Sequence, residues 1–192
     1  MANWASTSYR IEGSKSDLQR VFNMIDDFMS ERRKPIEEDA SKEWEGNIVK
    51  ALGATDEQVS KNYLRGFIQD YEMDGDNIRI EAEEAWGATD FRHVLAQLIP
   101  ELTVYYIVEE PGCEVYATND DEGKYFPERY YVDTCIGGNY YSDYFKKENG
   151  AMKFAALMLG RETISKEELE SWNEDHEAEG DFIYIHEFKY VA

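Results

Sequence analysis

Apolar and polar side chains alternate from the start of the chain. Over residues 6–12, Thr7, Tyr9 and Ile11 fall on one side with polar residues between them, which predicts a strand. Gly13 ends it and the spacing lengthens. Leu18, Val21, Phe22, Ile25, Phe28 and Met29 recur at i, i+3, i+4 behind Ser16 as the cap, predicting an amphipathic helix to about Met29. Residues 32–45 are charged, carry Pro35, and read as a surface loop or a ragged helix end. Residues 47–52 fit a short strand or a helical turn equally, and Thr55 caps a short helix through Ser60. Alternation returns from Leu64 to Tyr71. Residues 73–77 form a turn, and Ile78, Ile80 and Ala82 give the return strand of a hairpin.

Thr89 caps a second amphipathic helix with Phe91, Val94, Leu95 and Leu98 on its apolar side, stopped by Pro100. Leu102, Val104, Tyr106 and Val108 then mark a strand that breaks at Glu109-Glu110-Pro111-Gly112. Extended chain continues through residues 113–118, residues 119–124 turn, and residues 125–135 read as a further strand. Gly137-Gly138 interrupts the pattern. Residues 148–159 are helical in spacing, and Ser165 with Glu168 forms a capping box for a helix to about His176. Phe182, Tyr184, His186, Phe188 and Tyr190 share one side of a closing strand.

The order strand, helix, hairpin, helix, strand over residues 6–108 predicts an α+β fold. Its core is a ferredoxin-like split βαβ antiparallel sheet with helices on one face, extended by C-terminal strands and helices. The expected division is a core over residues 1–135, with an insertion near 31–62, and an extension over residues 136–192 packed on the same domain.

Composition narrows the functional classes. Forty-one acidic residues against 20 Lys and Arg give a formal charge of −21, and the strongest basic cluster, Arg32-Arg33-Lys34, is flanked by glutamates. Direct binding to nucleic acid or to anionic membranes is therefore not expected. Cys113 and Cys135 are the only cysteines, too few for a disulfide framework or a paired zinc knuckle. The N-terminus has neither the basic nor the apolar region of a signal peptide, and no apolar stretch approaches a membrane span, so a cytoplasmic location is expected.

Three landmarks occur together: Asn3-Trp4 near the start, Glu84-Ala85-Trp86-Gly87 after a strand, and Pro100-Glu101-Leu102-Thr103 leading to Glu109-Glu110-Pro111-Gly112. Their order and spacing resemble the YubB-type ferredoxin-like domain of bacterial plasmid and phage proteins, over about half of the chain. The resemblance implies the ferredoxin-like fold and a bacterial mobile-element setting, and it implies no activity. Ala2 and Ala5 stand where family members often carry Pro and Cys.

Chemistry is sparse. Glu109 and Glu110, beside Trp86 and Cys113, would form an acid and base pair only if both reached one substrate, yet neighbours on a strand point to opposite faces. His93, His176 and His186 lie far apart in sequence, and no nucleophile signature surrounds Cys113 or Cys135. Asp74-Gly75-Asp76-Asn77 and Asp120-Asp121-Glu122-Gly123 offer hard oxygen ligands but read as turns, and no cofactor is expected. The Tyr-rich stretch, with Tyr130, Tyr140 and Tyr141, is the strongest candidate recognition surface. The expectation is thus a non-enzymatic interaction protein with a protein partner. An acidic DNA mimic of the antirestriction type is one alternative. A small-ligand or enzymatic site near Trp86 and Glu110 is the other.

Overall fold

The computed structural model describes residues 3–37 and 39–192. The fold is α+β, and the chain divides into two compact units, the first running to Val115 and the second comprising Tyr116–Ala192. This division falls before the boundary expected between residues 135 and 136. The reason is that Tyr130–Ile136, assigned to the core from sequence, is the middle strand of the second unit's sheet.

In the first unit β1 (Trp4–Glu12) is followed by α1 (Lys15–Met29), α2 (Glu45–Leu52) and α3 (Asp56–Lys61). The hairpin of β2 (Gly66–Asp74) and β3 (Asn77–Ala85), then α4 (Phe91–Leu98) and β4 (Thr103–Glu110), complete it. The strands stand in the order β2-β3-β1-β4, every neighbouring pair antiparallel. That is the split βαβ order, with α2 and α3 inserted between the first helix and the hairpin. Tyr9 and Ile11 from β1, Ile78 and Ile80 from β3, and Tyr106 and Val108 from β4 are buried, as are Val21, Ile25 and Phe28 of α1 and Phe91 and Val94 of α4.

Local chemistry explains the boundaries. The cap of α1 is Ser14, whose hydroxyl accepts from the Asp17 N–H, two residues before the expected Ser16. Residues 47–52, undecided from sequence, are helical. Glu45 through Val49 are all buried, which erases the one-sided spacing that would distinguish helix from strand.

The second unit holds a three-stranded antiparallel sheet. The chain passes from the first unit into the second within β5 (Val115–Thr118), and after it come β6 (Tyr130–Ile136), β7 (Asn139–Phe145), α5 (Glu148–Met158), α6 (Lys166–His176), β8 (Phe182–Glu187) and β9 (Lys189–Tyr190). The sheet order is β7-β6-β8, while β9 pairs in parallel with Ala117 and Thr118 of β5. A core of Val132, Ala151, Ala155, Ala156, Ile164, Leu169 and Ile183 joins α5 and α6 to one side of the sheet. The strand expected from Tyr125 begins only at Tyr130. Gly137 and Gly138, at φ 57° and 76°, make a tight hairpin turn into β7, a strand the hydrophobic pattern does not announce.

Candidate functional site

The six residues singled out from the sequence fall in two places. Trp86, Glu109 and Glu110 belong to the first unit; Tyr130, Tyr140 and Tyr141 belong to the second.

In the first unit the strand register settles the two glutamates. Glu109 opposes Ser6 on the partly exposed side of β4, whereas Glu110 is buried on the core side, so the two carboxylates do not converge. Asn3 draws Trp86 and the turn after Glu110 together. Its carbonyl accepts from the Trp86 N–H at 2.8 Å, and its side-chain amide reaches the Cys113 Sγ at 3.3 Å. Glu110 accepts from the Gly112 N–H at 3.0 Å, holding the turn. A hydrogen bond to Glu110 pushes the Cys113 thiol up, away from the thiolate that a nucleophile requires. Two clefts of the first unit lie elsewhere, one beside Trp44 and Phe67 and one beside Leu18 and Met73.

Trp86 itself is half exposed and sits at φ 59°, in the left-handed region that L side chains avoid. The Arg65 guanidinium lies 5.4 Å from its ring and 5.6 Å from that of Trp4. Tyr63 flanks Trp86, and Phe67 flanks Trp4 at 5.7 Å. These contacts tie the ends of β1, β2 and β3 into an exposed aromatic cluster around one cation. The backbone strain gives a simple expectation: Trp86→Gly is more stable than Trp86→Ala by about 1 kcal/mol, since only glycine occupies that φ without penalty. Urea midpoints of the two variants check it. The usual order, with alanine ahead, would show that the backbone relaxes at residue 86.

In the second unit most aromatic residues of the three-stranded sheet lie on the side away from α5 and α6. By strand register Tyr131, Asp133 and Cys135 of β6, Tyr140, Ser142 and Tyr144 of β7, and Phe182, Tyr184 and His186 of β8 share that side. Tyr131 meets Tyr144 at 4.8 Å, Phe182 stacks on Tyr184 at 4.9 Å, and Tyr140 lies 6.5 Å from Phe182. At its centre the His186 Nε2 is 2.9 Å from the Asp133 carboxylate, and Tyr116 stacks on the imidazole at 4.2 Å. Tyr140 is 76% exposed and Tyr141 54%; Tyr144 and Tyr184 are also exposed.

Tyr130 and Tyr141 point the other way. Tyr130 packs against the core and lines a cleft of about 310 Å³ with Met152, Leu169, Ile183 and Glu148. Its phenol is pushed up by burial and by nearby Glu187. Tyr141 shares its side of the sheet, yet β7 stands at the edge and leaves it exposed.

Sequence reasoning missed a buried cluster. Glu45 at the start of α2 and Glu84 near the end of β3 are fully buried side by side, and Thr89 lies within 2.7 Å of both. The separation of the two glutamates in the chain hid them among many surface acids; the one available signal was Glu84 at a core-facing position of an alternating strand.

Among the described residues no group of three or more His, Cys, Asp or Glu is placed to hold a metal ion, and no helix is long and apolar enough to cross a membrane. No family model matches the chain, and neither the curated proteins nor the solved structures contain a match to it.

Proposed function

We propose that this protein is a docking module that receives a basic segment of a protein partner along β7 and the adjoining aromatic side of the second unit's sheet. The observation that carries this reading is the state of β7. It is an edge strand, paired with β6 in unbroken register from Asn139 to Phe145, and exposed from Asn139 through Tyr144. Soluble proteins blunt such edges with Lys, Pro or bulges, because an open edge pairs with other chains. Residues 139–145 contain no Lys and no Pro, and Asp143 is their only charge. An edge left open in this way suits addition of a partner strand, with the tyrosine rings reading its side chains. Arg and Lys are favoured in that partner by the aromatic faces and by the chain's −21 charge.

The DNA-mimic reading receives less support. Seven acids of the first unit are engaged with basic side chains: Asp70, Glu72 and Glu81 with Arg79, Asp26 and Asp27 with Arg32, and Glu37 and Asp56 with Lys50. A mimic would hold its carboxylates in rows free to face a DNA-binding surface.

A photo-crosslinking side chain placed at Tyr140 and, as a control, at the exposed Leu157 of α5 tests the proposal in source cells. The expected result is one dominant adduct from position 140, absent from 157, on a basic stretch of one protein. Titration of that protein with Tyr144→Ser/Tyr184→Ser should show affinity reduced by at least about tenfold, the usual scale for buried aromatic anchors. Equal adducts at both positions, or an affinity unchanged in the double variant, would reject it.

A further inference from the structure

We propose that Glu45 and Glu84 form a proton-binding site inside the first unit, and that the folded protein keeps one proton there, on Glu45, at neutral pH.

Counting hydrogens carries the inference. The Thr89 Oγ1 lies 2.7 Å from Glu45 Oε2 and 2.7 Å from Glu84 Oε1, and it accepts from the Phe91 N–H at 3.2 Å. A hydroxyl has one hydrogen to give. It donates to one carboxylate and meets the other oxygen to oxygen, unless that second group supplies a hydrogen of its own. Two bare carboxylates would therefore leave a repulsive contact in a site with no exposure to water. One proton removes the conflict, since Thr89 then accepts from the acid and from Phe91 and donates to the remaining carboxylate.

Tyr9 decides which glutamate holds it. Its phenol donates to Glu84 Oε1 at 2.7 Å, so Glu84 already collects donors and suits the negative form. Among the described residues Glu45 has no such phenol donor, and burial, followed by the charge of Glu84, pushes its carboxyl well above the usual range.

The groups facing the pair are few. Tyr9 comes from β1, and its own phenol is pushed up first by burial and then by the two glutamates. Arg92 of α4 is turned to the Thr89 carbonyl at 2.9 Å and to the Tyr106 ring of β4. Tyr63, ahead of β2, feels Glu84. From β2 itself Gly66 offers only backbone, and the buried side of α1 is apolar.

Unfolding releases this proton at any pH above the ordinary glutamate value of 4.5 and below Glu45's own raised value in the fold. Stability is lost as pH rises across that window, and the unfolding constant gains up to about tenfold per pH unit from this one group.

Glu45→Gln tests it, because the amide supplies a hydrogen where the protonated acid did. Wild type unfolded by urea at pH 7 in weak buffer should release about one proton more than Glu45→Gln. The ratio of their unfolding constants should climb with pH across the window. Equal proton release would overturn the proposal. If the variant does not fold, the infrared carbonyl band of a protonated carboxylic acid decides on wild type alone. Its presence at neutral pH, and its loss on unfolding, are required; its absence overturns the site.

Discussion

Gly66→Ala is expected to destabilise the first unit by about 3 kcal/mol, far beyond the usual effect of adding one methyl to a strand. A Cβ at Gly66 would overlap both carboxyl oxygens of Glu45. A flexible side chain would swing away, but this one is held. Its carboxyl is bonded to Thr89, lies against Glu84, and has no path to water. The strand is equally constrained, since Gly66 pairs with Glu84 and the neighbouring Arg65 carbonyl accepts from Ala85. Urea midpoints measure the effect, with Gly75→Asn as the control. Gly75 turns at φ 64° into open space, and asparagine tolerates that conformation. In Gly66→Ala/Glu45→Ala the obstruction is gone, so the double variant should lose less than the two single losses added together. Additive losses would show that Gly66 is required for another reason.

The same residues mark the limit of what the sequence discloses. Alternation placed Thr7, Tyr9 and Ile11 on one side of β1, and i, i+3, i+4 spacing found α1 and α5, because each has one buried side and one wet side. The Ser165 and Glu168 capping box is legible because both of its hydrogen bonds are local. The strand β7 leaves no such trace. An edge strand exposed on both sides has no buried positions to make a period, and only the Gly137-Gly138 turn hinted at a hairpin. The tyrosines of the candidate surface were therefore visible by composition, while their placement on an open edge was not. Glu45 and Glu84 were hidden for a different reason. Their meeting depends on how α2 packs against α1, α4 and β2, and a glutamate about to be buried reads the same as one on the surface.

Asp120→Ala is expected to cost the second unit about 3 kcal/mol, most of it present at neutral pH and absent in acid. Sequence marked residues 120–123 as a turn with the oxygen ligands of a cation site, but the structure gives the Asp120 carboxylate another role. It accepts from the N–H groups of Lys124, Tyr125 and Phe126 at 2.9, 2.7 and 2.8 Å. Burial opposes its charge, yet those three donors and the nearby Arg129 outweigh burial and hold its carboxyl below the usual range. Because the folded value is depressed, the contribution is complete above the ordinary value of 3.8 and disappears as pH falls through the folded one. Wild type and Asp120→Ala should thus differ widely in urea midpoint at pH 7 and converge in acid; a gap independent of pH would exclude the charge as its source. The consequence reaches β7, the proposed docking edge. Arg129 bonds the Asp120, Asp121 and Phe126 carbonyls, and its own backbone binds Phe145 at the end of β7 and Phe188 just beyond β8. Loosening the loop therefore releases both outer strands at one end, and partner affinity should fall in Asp120→Ala although no residue of the aromatic side has been changed.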